Sequence, residues 1–85
     1  MTEEIVRMSG ADAIRHAADI YGVPSMYAMA KALSDEDLTV QTIQIKNYLT
    51  GTRMSKKVAD RFEAVYDIHI TDAYESNAMR QNYDV

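Results

Sequence analysis

The chain has 85 residues, no cysteine and a formal charge of −4. That length makes one domain with a single core, and the lack of cysteine excludes a disulfide framework or a cysteine-ligated zinc finger. The longest apolar run, 26–30, is far short of the roughly 18 residues of a membrane span, and the acidic start Met1-Thr2-Glu3-Glu4 lacks the basic-then-apolar order of a signal peptide. A cytoplasmic chain with no membrane partner is therefore expected.

Residues 1–8 read as an N-terminal arm. Ser9 caps a first helix over 10–21, with Asp12 three residues on, and Ala13, Ile14, Ala17 and Tyr21 share one side. Gly22-Val23-Pro24 ends that helix, because proline disfavours helix at the residue before it. Ser25 caps a second helix over 26–33 that turns Met26, Met29, Ala30 and Leu33 inward. Residues 34–38 (Ser-Asp-Glu-Asp-Leu) form a polar connection.

A third helix is expected over 41–50. A step of about 100° per residue gathers Ile45, Tyr48 and Leu49 on one face and Ile43, Lys46, Asn47 and Thr50 on the other. The β-branched Val40, Ile43 and Ile45 offer a strand as rival, but the helical spacing of the apolar residues and the helical neighbours favour helix. Gly51 stops it. Ser55 caps a fourth helix over 56–66, with Val58, Phe62, Val65 and Tyr66 as its apolar stripe. After a short apolar link at 68–70, Thr71 caps a fifth helix over 72–78, and 80–85 form a tail. The expected fold is all-α, a compact five-helix domain over 9–79.

Charge is unevenly distributed. Residues 1–38 carry −4, residues 62–85 carry −4, and between them Lys46, Arg53, Lys56, Lys57 and Arg61 against Asp60 give +4. The positive charge thus lies on and just after the third helix, where a surface facing DNA would place it. An asparagine or glutamine amide on that helix can pair bidentately with adenine in the major groove. Asn47 points outward, Gln44 lies at the edge of that face, and Gln41 and Thr42 sit at its start. Ile43 is an apolar side chain on the outward face, where it either touches a thymine methyl or packs beneath the 34–38 loop or a second subunit. These five residues are the candidate base contacts. Lys46, Thr50, Arg53, Ser55, Lys56 and Lys57 are the candidate phosphate contacts, which hold register without reading sequence.

With these elements in hand, the chain resembles the lambda-repressor-like helix-turn-helix family of Cro-type and Xre-type regulators over roughly residues 10–75. Ala30 followed by Leu33 in the second helix matches that family. So does the order Ile45, Tyr48, Gly51 and Arg53 through and beyond the third. The connection 34–38 departs from it, being longer than the family's turn and without glycine. The resemblance implies a phage or bacterial transcriptional regulator that binds double-stranded DNA through the third helix. No cofactor is expected.

Tyr74, Met79 and Tyr83 either form an apolar strip for a homodimer or leave Tyr74 as a cap on the core with a tail beyond it. His16 and His69 are isolated, so ordinary surface or loop histidines are expected rather than a metal site. No nucleophile–base set, phosphate-cradling glycine loop or dinucleotide fingerprint is present, and no enzyme is expected. Two alternatives to DNA reading remain. One is a protein-interaction module on the same fold that binds a host protein, favoured by the acidic total charge and the altered turn. The other is an acidic DNA mimic, against which the basic middle segment argues.

Overall fold

Serine side chains start three of the four helices found among the described residues, 5–75, of the computed structural model. Ser9 Oγ accepts from Asp12 N at the head of α1 (Gly10–Ile20), Ser25 Oγ from Ala28 N at 3.1 Å at the head of α2 (Met26–Leu33), and Ser55 Oγ from Val58 N at the head of α4 (Lys56–Tyr66). Each hydroxyl satisfies one of the N–H groups that a helix start leaves without an intrahelical partner. Helix α3 spans Thr42–Leu49, with Gln41 as its N-cap. Helix α1 closes where Gly22 adopts φ +66° and Val23 N donates back to Ala18 O at 3.0 Å, a Schellman-type reversal.

The expectation of an all-α, five-helix domain is corrected by two short strands. Strands β1 (Val6–Met8) and β2 (Ile68–Ile70) pair in parallel, with Val6 opposite Ile68, Arg7 opposite His69 and Met8 opposite Ile70. Residues 6–8 are thus strand at the end of the expected arm. The link 68–70 is a strand whose two isoleucines face the core while His69 faces outward. Asp67, in the left-handed region at φ +62°, turns the chain from α4 directly into β2.

The expected fifth helix does not begin at Asp72. Thr71 N donates to Met8 O at 2.8 Å, extending the strand pairing, and Asp72 Oδ1 accepts from Gly10 N at 2.9 Å. Tyr74 then makes a parallel bridge with Ser55: Lys56 N donates to Tyr74 O at 2.7 Å and Tyr74 N to Met54 O at 3.0 Å. The Tyr74 carbonyl, which a helix would pair four residues on, is taken by Lys56 N, and the parallel bridge holds Tyr74 in an extended conformation that no helical turn contains. The rest of that expected helix and the 80–85 tail lie outside the described residues.

The buried side chains form one cluster. Its largest fully enclosed members, Phe62, Met29, Leu33, Ile45, Met54 and Ile68, come from α2, α3, α4, β2 and the loop before α4. Burial of each is worth about 1.5–3 kcal/mol relative to exposure. Tyr21 and Met26, expected inward, are exposed. Tyr21 lies just past the end of α1, its ring 5.3 Å from that of Tyr66 and its hydroxyl donating to Tyr66 O at 2.8 Å. Met26 sits on the rim of an apolar cleft between α1, α2 and α3. No helix among the described residues is long and apolar enough to cross a membrane.

The long α2–α3 connection is built rather than loose. Ser34 Oγ accepts from Val40 N at 2.9 Å, closing the base of the loop, and Val40 is buried there. Asp35 Oδ1 accepts from Asp37 N and Leu38 N, both at 2.9 Å. Arg61 of α4 donates to Leu33 O at 3.2 Å and comes within 3.8 Å of Asp35 Oδ2. Its guanidinium thereby covers the carbonyl end of α2, where a cation is favoured. Helix α3 packs on both α1 and α2 as a result.

Candidate nucleic-acid interface

Helix α3 keeps the two faces expected of it. Ile45 and Tyr48 are buried against the core, whereas Ile43, Lys46 and Asn47 are exposed. The start of the helix is fixed by Gln44, whose Oε1 accepts from Gln41 N at 2.8 Å. Gln44 Nε2 reaches Tyr48 Oη at 3.5 Å. The carbonyl of Gln44 is therefore committed to the helix start, and one half of a bidentate adenine contact is already in use. Burial holds the Tyr48 phenol above its ordinary value, an effect that the Gln44 contact partly offsets. Asn47 differs from Gln44. Its amide is exposed and has no hydrogen-bond partner among the described residues, so both donor and acceptor are open to a base edge.

The candidate phosphate contacts divide by what else they touch. Lys46, Arg53 and Lys57 are exposed and make no ion pair among the described residues. Lys56 pairs with Asp60, one turn along α4, at 3.0 and 3.2 Å, and the Asp60 carboxylate raises its pKa. The Thr50 hydroxyl donates to Lys46 O at 3.2 Å or Asn47 O at 3.1 Å, closing the end of α3. A phosphate oxygen needs a donor, and that proton is engaged. At the head of α4, Ser55 caps Val58 N while Lys56 N is held by Tyr74 O, which leaves fewer free N–H groups for an anion than an open helix start offers.

Gly51, at φ +126°, turns the chain out of α3 so that Met54 enters the core while Arg53 stays in solvent. The result is a cleft of about 200 Å³ beside the exposed face of α3, lined by Gln44, Asn47, Tyr48, Thr52, Arg53, Ser55 and Tyr74. It brings together the exposed Asn47 amide and the Arg53 guanidinium, neither with a side-chain partner among the described residues. A second cleft, of about 370 Å³, opens at the other end of α3 between its first turn and α2. Gln41 and Thr42 line it together with Tyr27, Lys31 and Ser34.

No protein-family model, no curated protein and no solved structure matches the chain.

Sequence reading missed Tyr27 and Lys31. Their spacing of four, on the side of α2 opposite Met29, Ala30 and Leu33, was the available signal. It also missed that Arg61, counted with the basic segment, is turned toward α2 and the acidic loop. Of the expected dimer strip, Tyr74 lines the first cleft, and Met79 and Tyr83 lie outside the described residues. No group of three or more His, Cys, Asp or Glu that could hold a metal ion occurs among the described residues. His69 instead contacts Glu63, Nδ1 to Oε1 at 2.9 Å, joining β2 to α4.

Proposed function

We propose that the protein is a sequence-specific DNA-binding transcriptional regulator that inserts α3 into the major groove. The observation that carries this reading is the free, exposed Asn47 amide on the solvent face of a helix whose opposite face is anchored in the core. Lys46 next to it in α3 and Arg53 in the cleft beside it, neither in an ion pair among the described residues, supply charge for the phosphate backbone, and Lys57 adds to it from the start of α4. In this reading Asn47 reads an adenine, Ile43 meets a thymine methyl, and Gln41 and Thr42 lie near base edges at the entering end of the helix. The resemblance to lambda-repressor-like regulators belongs to the same proposal. It is carried by Ala30, Leu33, Ile45, Tyr48, Gly51 and Arg53, as is the bacterial or phage-infected cell as the setting. A homodimer on a two-fold operator is part of it as well.

Selection of bound duplexes from a random pool, followed by titration at two salt concentrations, tests the reading. Affinity should fall with salt at a log–log slope of about −0.9 per phosphate contacted. Asn47→Ala should weaken the selected site far more than random duplex, whereas Arg53→Ala should weaken both alike. Equal loss on all sequences for Asn47→Ala would exclude base reading at that position.

One set of observations favours a second reading, a module that binds another protein. Ile20, Tyr21, Met26 and Tyr27 are exposed apolar side chains around the α1–α2 corner, and the total charge is acidic. Failure to bind any duplex at low salt would favour it.

A further inference from the structure

We infer that the apolar cleft between α1, α2 and α3 binds a small monocarboxylate, with its apolar body against the back of α3 and its carboxylate on Arg15. The cleft has a volume of about 200 Å³. An apolar cavity of about 150 Å³ already takes a benzene ring, so one ring or a chain of similar bulk fits. Ile14, Met29 and Ile45, almost closed to water, form its floor, and the half-buried Ala18, Val23 and Leu49 form its walls. Protein interiors leave few voids of that size, and a gap between packed helices is a usual seat for a small ligand. Ile45 and Leu49 belong to α3. An occupant therefore braces the helix that carries Asn47, whatever that helix meets on its other face.

The polar side chains of the lining decide the class of ligand. They are Arg15 and Ser25, both exposed at the rim, and no carboxylate lines the cleft. Ser25 Oγ already accepts from Ala28 N, while its own proton has no acceptor among the described residues. Arg15 engages Nη1 with Asp12 at 3.3 Å, and its other donors have no acceptor among the described residues. That ion pair is exposed on both sides, and such pairs contribute little, so it does not hold the guanidinium against a better acceptor. The rim thus offers protons and lacks acceptors. A ligand must accept there, and a carboxylate is the acceptor that a guanidinium grips through two parallel hydrogen bonds. The exposed Met26 borders the opening with a flexible thioether that adapts to an occupant's shape.

The test is a titration of the full chain, isotope-labelled in its methionine methyls, with phenylacetate and with its uncharged counterpart phenylacetamide. Phenylacetate should shift the Met26 and Met29 signals saturably and leave Met8 and Met54, which do not line the cleft, in place. Phenylacetamide should bind about tenfold more weakly. Arg15→Gln alters only an exposed side chain and should erase that difference. Ala18→Leu fills the cleft and should abolish binding of both probes, with the Met8 and Met54 signals and the melting curve reporting that the fold is kept. Should Ala18→Leu fail to fold, Arg15→Gln decides alone. Equal affinity for acid and amide in the wild type, or no response of Met26 and Met29 to either, would overturn the proposal. So would Met26 shifts that grow with protein concentration without ligand, which would put a second copy on the cleft. None of these outcomes depends on duplex binding, so the DNA reading stands or falls separately.

Discussion

The Asp72 carboxylate accepts a hydrogen bond from the Gly10 N–H at 2.9 Å, joining residues 62 apart in the chain at the first turn of α1. Together with the Thr71 N to Met8 O bond, it ties the β1–α1 corner to the segment leaving β2. A negative charge at that point is also favoured by the helix dipole. Asp72→Ala leaves the Gly10 N–H without its acceptor and should lower stability by about 1–2 kcal/mol. In a domain of this size that corresponds to a drop of roughly 4–16 °C in melting temperature. Asp72→Asn keeps an acceptor and should lose less. Identical melting of Asp72→Ala and wild type would show that this contact contributes nothing.

Alkaline pH provides a second handle. Burial raises the Tyr66 phenol, and burial is also the largest influence on Tyr48. For an acid held above its unfolded value, the fold favours the protonated form. The stability it contributes is complete below about pH 10 and is lost as pH rises through the folded-state values. Unfolding free energy should therefore hold steady up to about pH 10 and decline above it. Tyr66→Phe, which removes one of the titrating phenols, should make that decline shallower. Denaturant unfolding with tyrosinate absorbance, followed across about pH 9 to 11, reads both. A decline of unchanged steepness in Tyr66→Phe would exclude its phenol as a cause.

The turn after α3 depends on backbone freedom rather than space. A Cβ added at Gly51 would meet nothing within 4 Å, yet φ there is +126°. Gly51→Ala should therefore cost about 1–3 kcal/mol through backbone strain alone. Gly51→Asn should not recover it, because asparagine is tolerated near φ of about +57°, not at this angle. Gly22, at φ +66°, is the internal comparison, and Gly22→Asn should melt closer to wild type than Gly22→Ala. Equal tolerance of asparagine at both sites would contradict the assigned geometry.

Legibility in the sequence follows the range of each interaction. The serine caps at Ser9, Ser25 and Ser55 and the apolar back of α3 are set by neighbours within a turn, and both could be read directly. The β1–β2 pairing joins residues 6–8 to 68–70, and three-residue strands carry too little alternation to show a partner so distant. Thr71 and Asp72 suit a helix start as well as a tertiary hydrogen bond, and the tertiary partners took them. The same competition acts within the candidate site. Gln44 and Thr50 are residue types that could reach DNA, and local backbone groups hold their polar atoms. The side chain of Asn47, five residues past the start of α3 and two before its end, escapes that competition among the described residues.

Two isoleucines on α3 separate folding from recognition. Ile45 is fully buried and Ile43 is 52% exposed. Ile45→Ala opens a cavity in the core and should cost about 2–5 kcal/mol, enough to leave a domain of modest stability largely unfolded on warming. Ile43→Ala should stay within about 0.5 kcal/mol of wild type. Its effect should fall on DNA instead. If Ile43 meets a thymine methyl, replacing that thymine by uracil in the selected duplex should weaken the wild type but leave Ile43→Ala unchanged. Titrating both proteins against both duplexes measures this coupling. Equal weakening of the two proteins by uracil would place the methyl contact elsewhere, and a large loss of stability in Ile43→Ala would mean that this side chain belongs to the core.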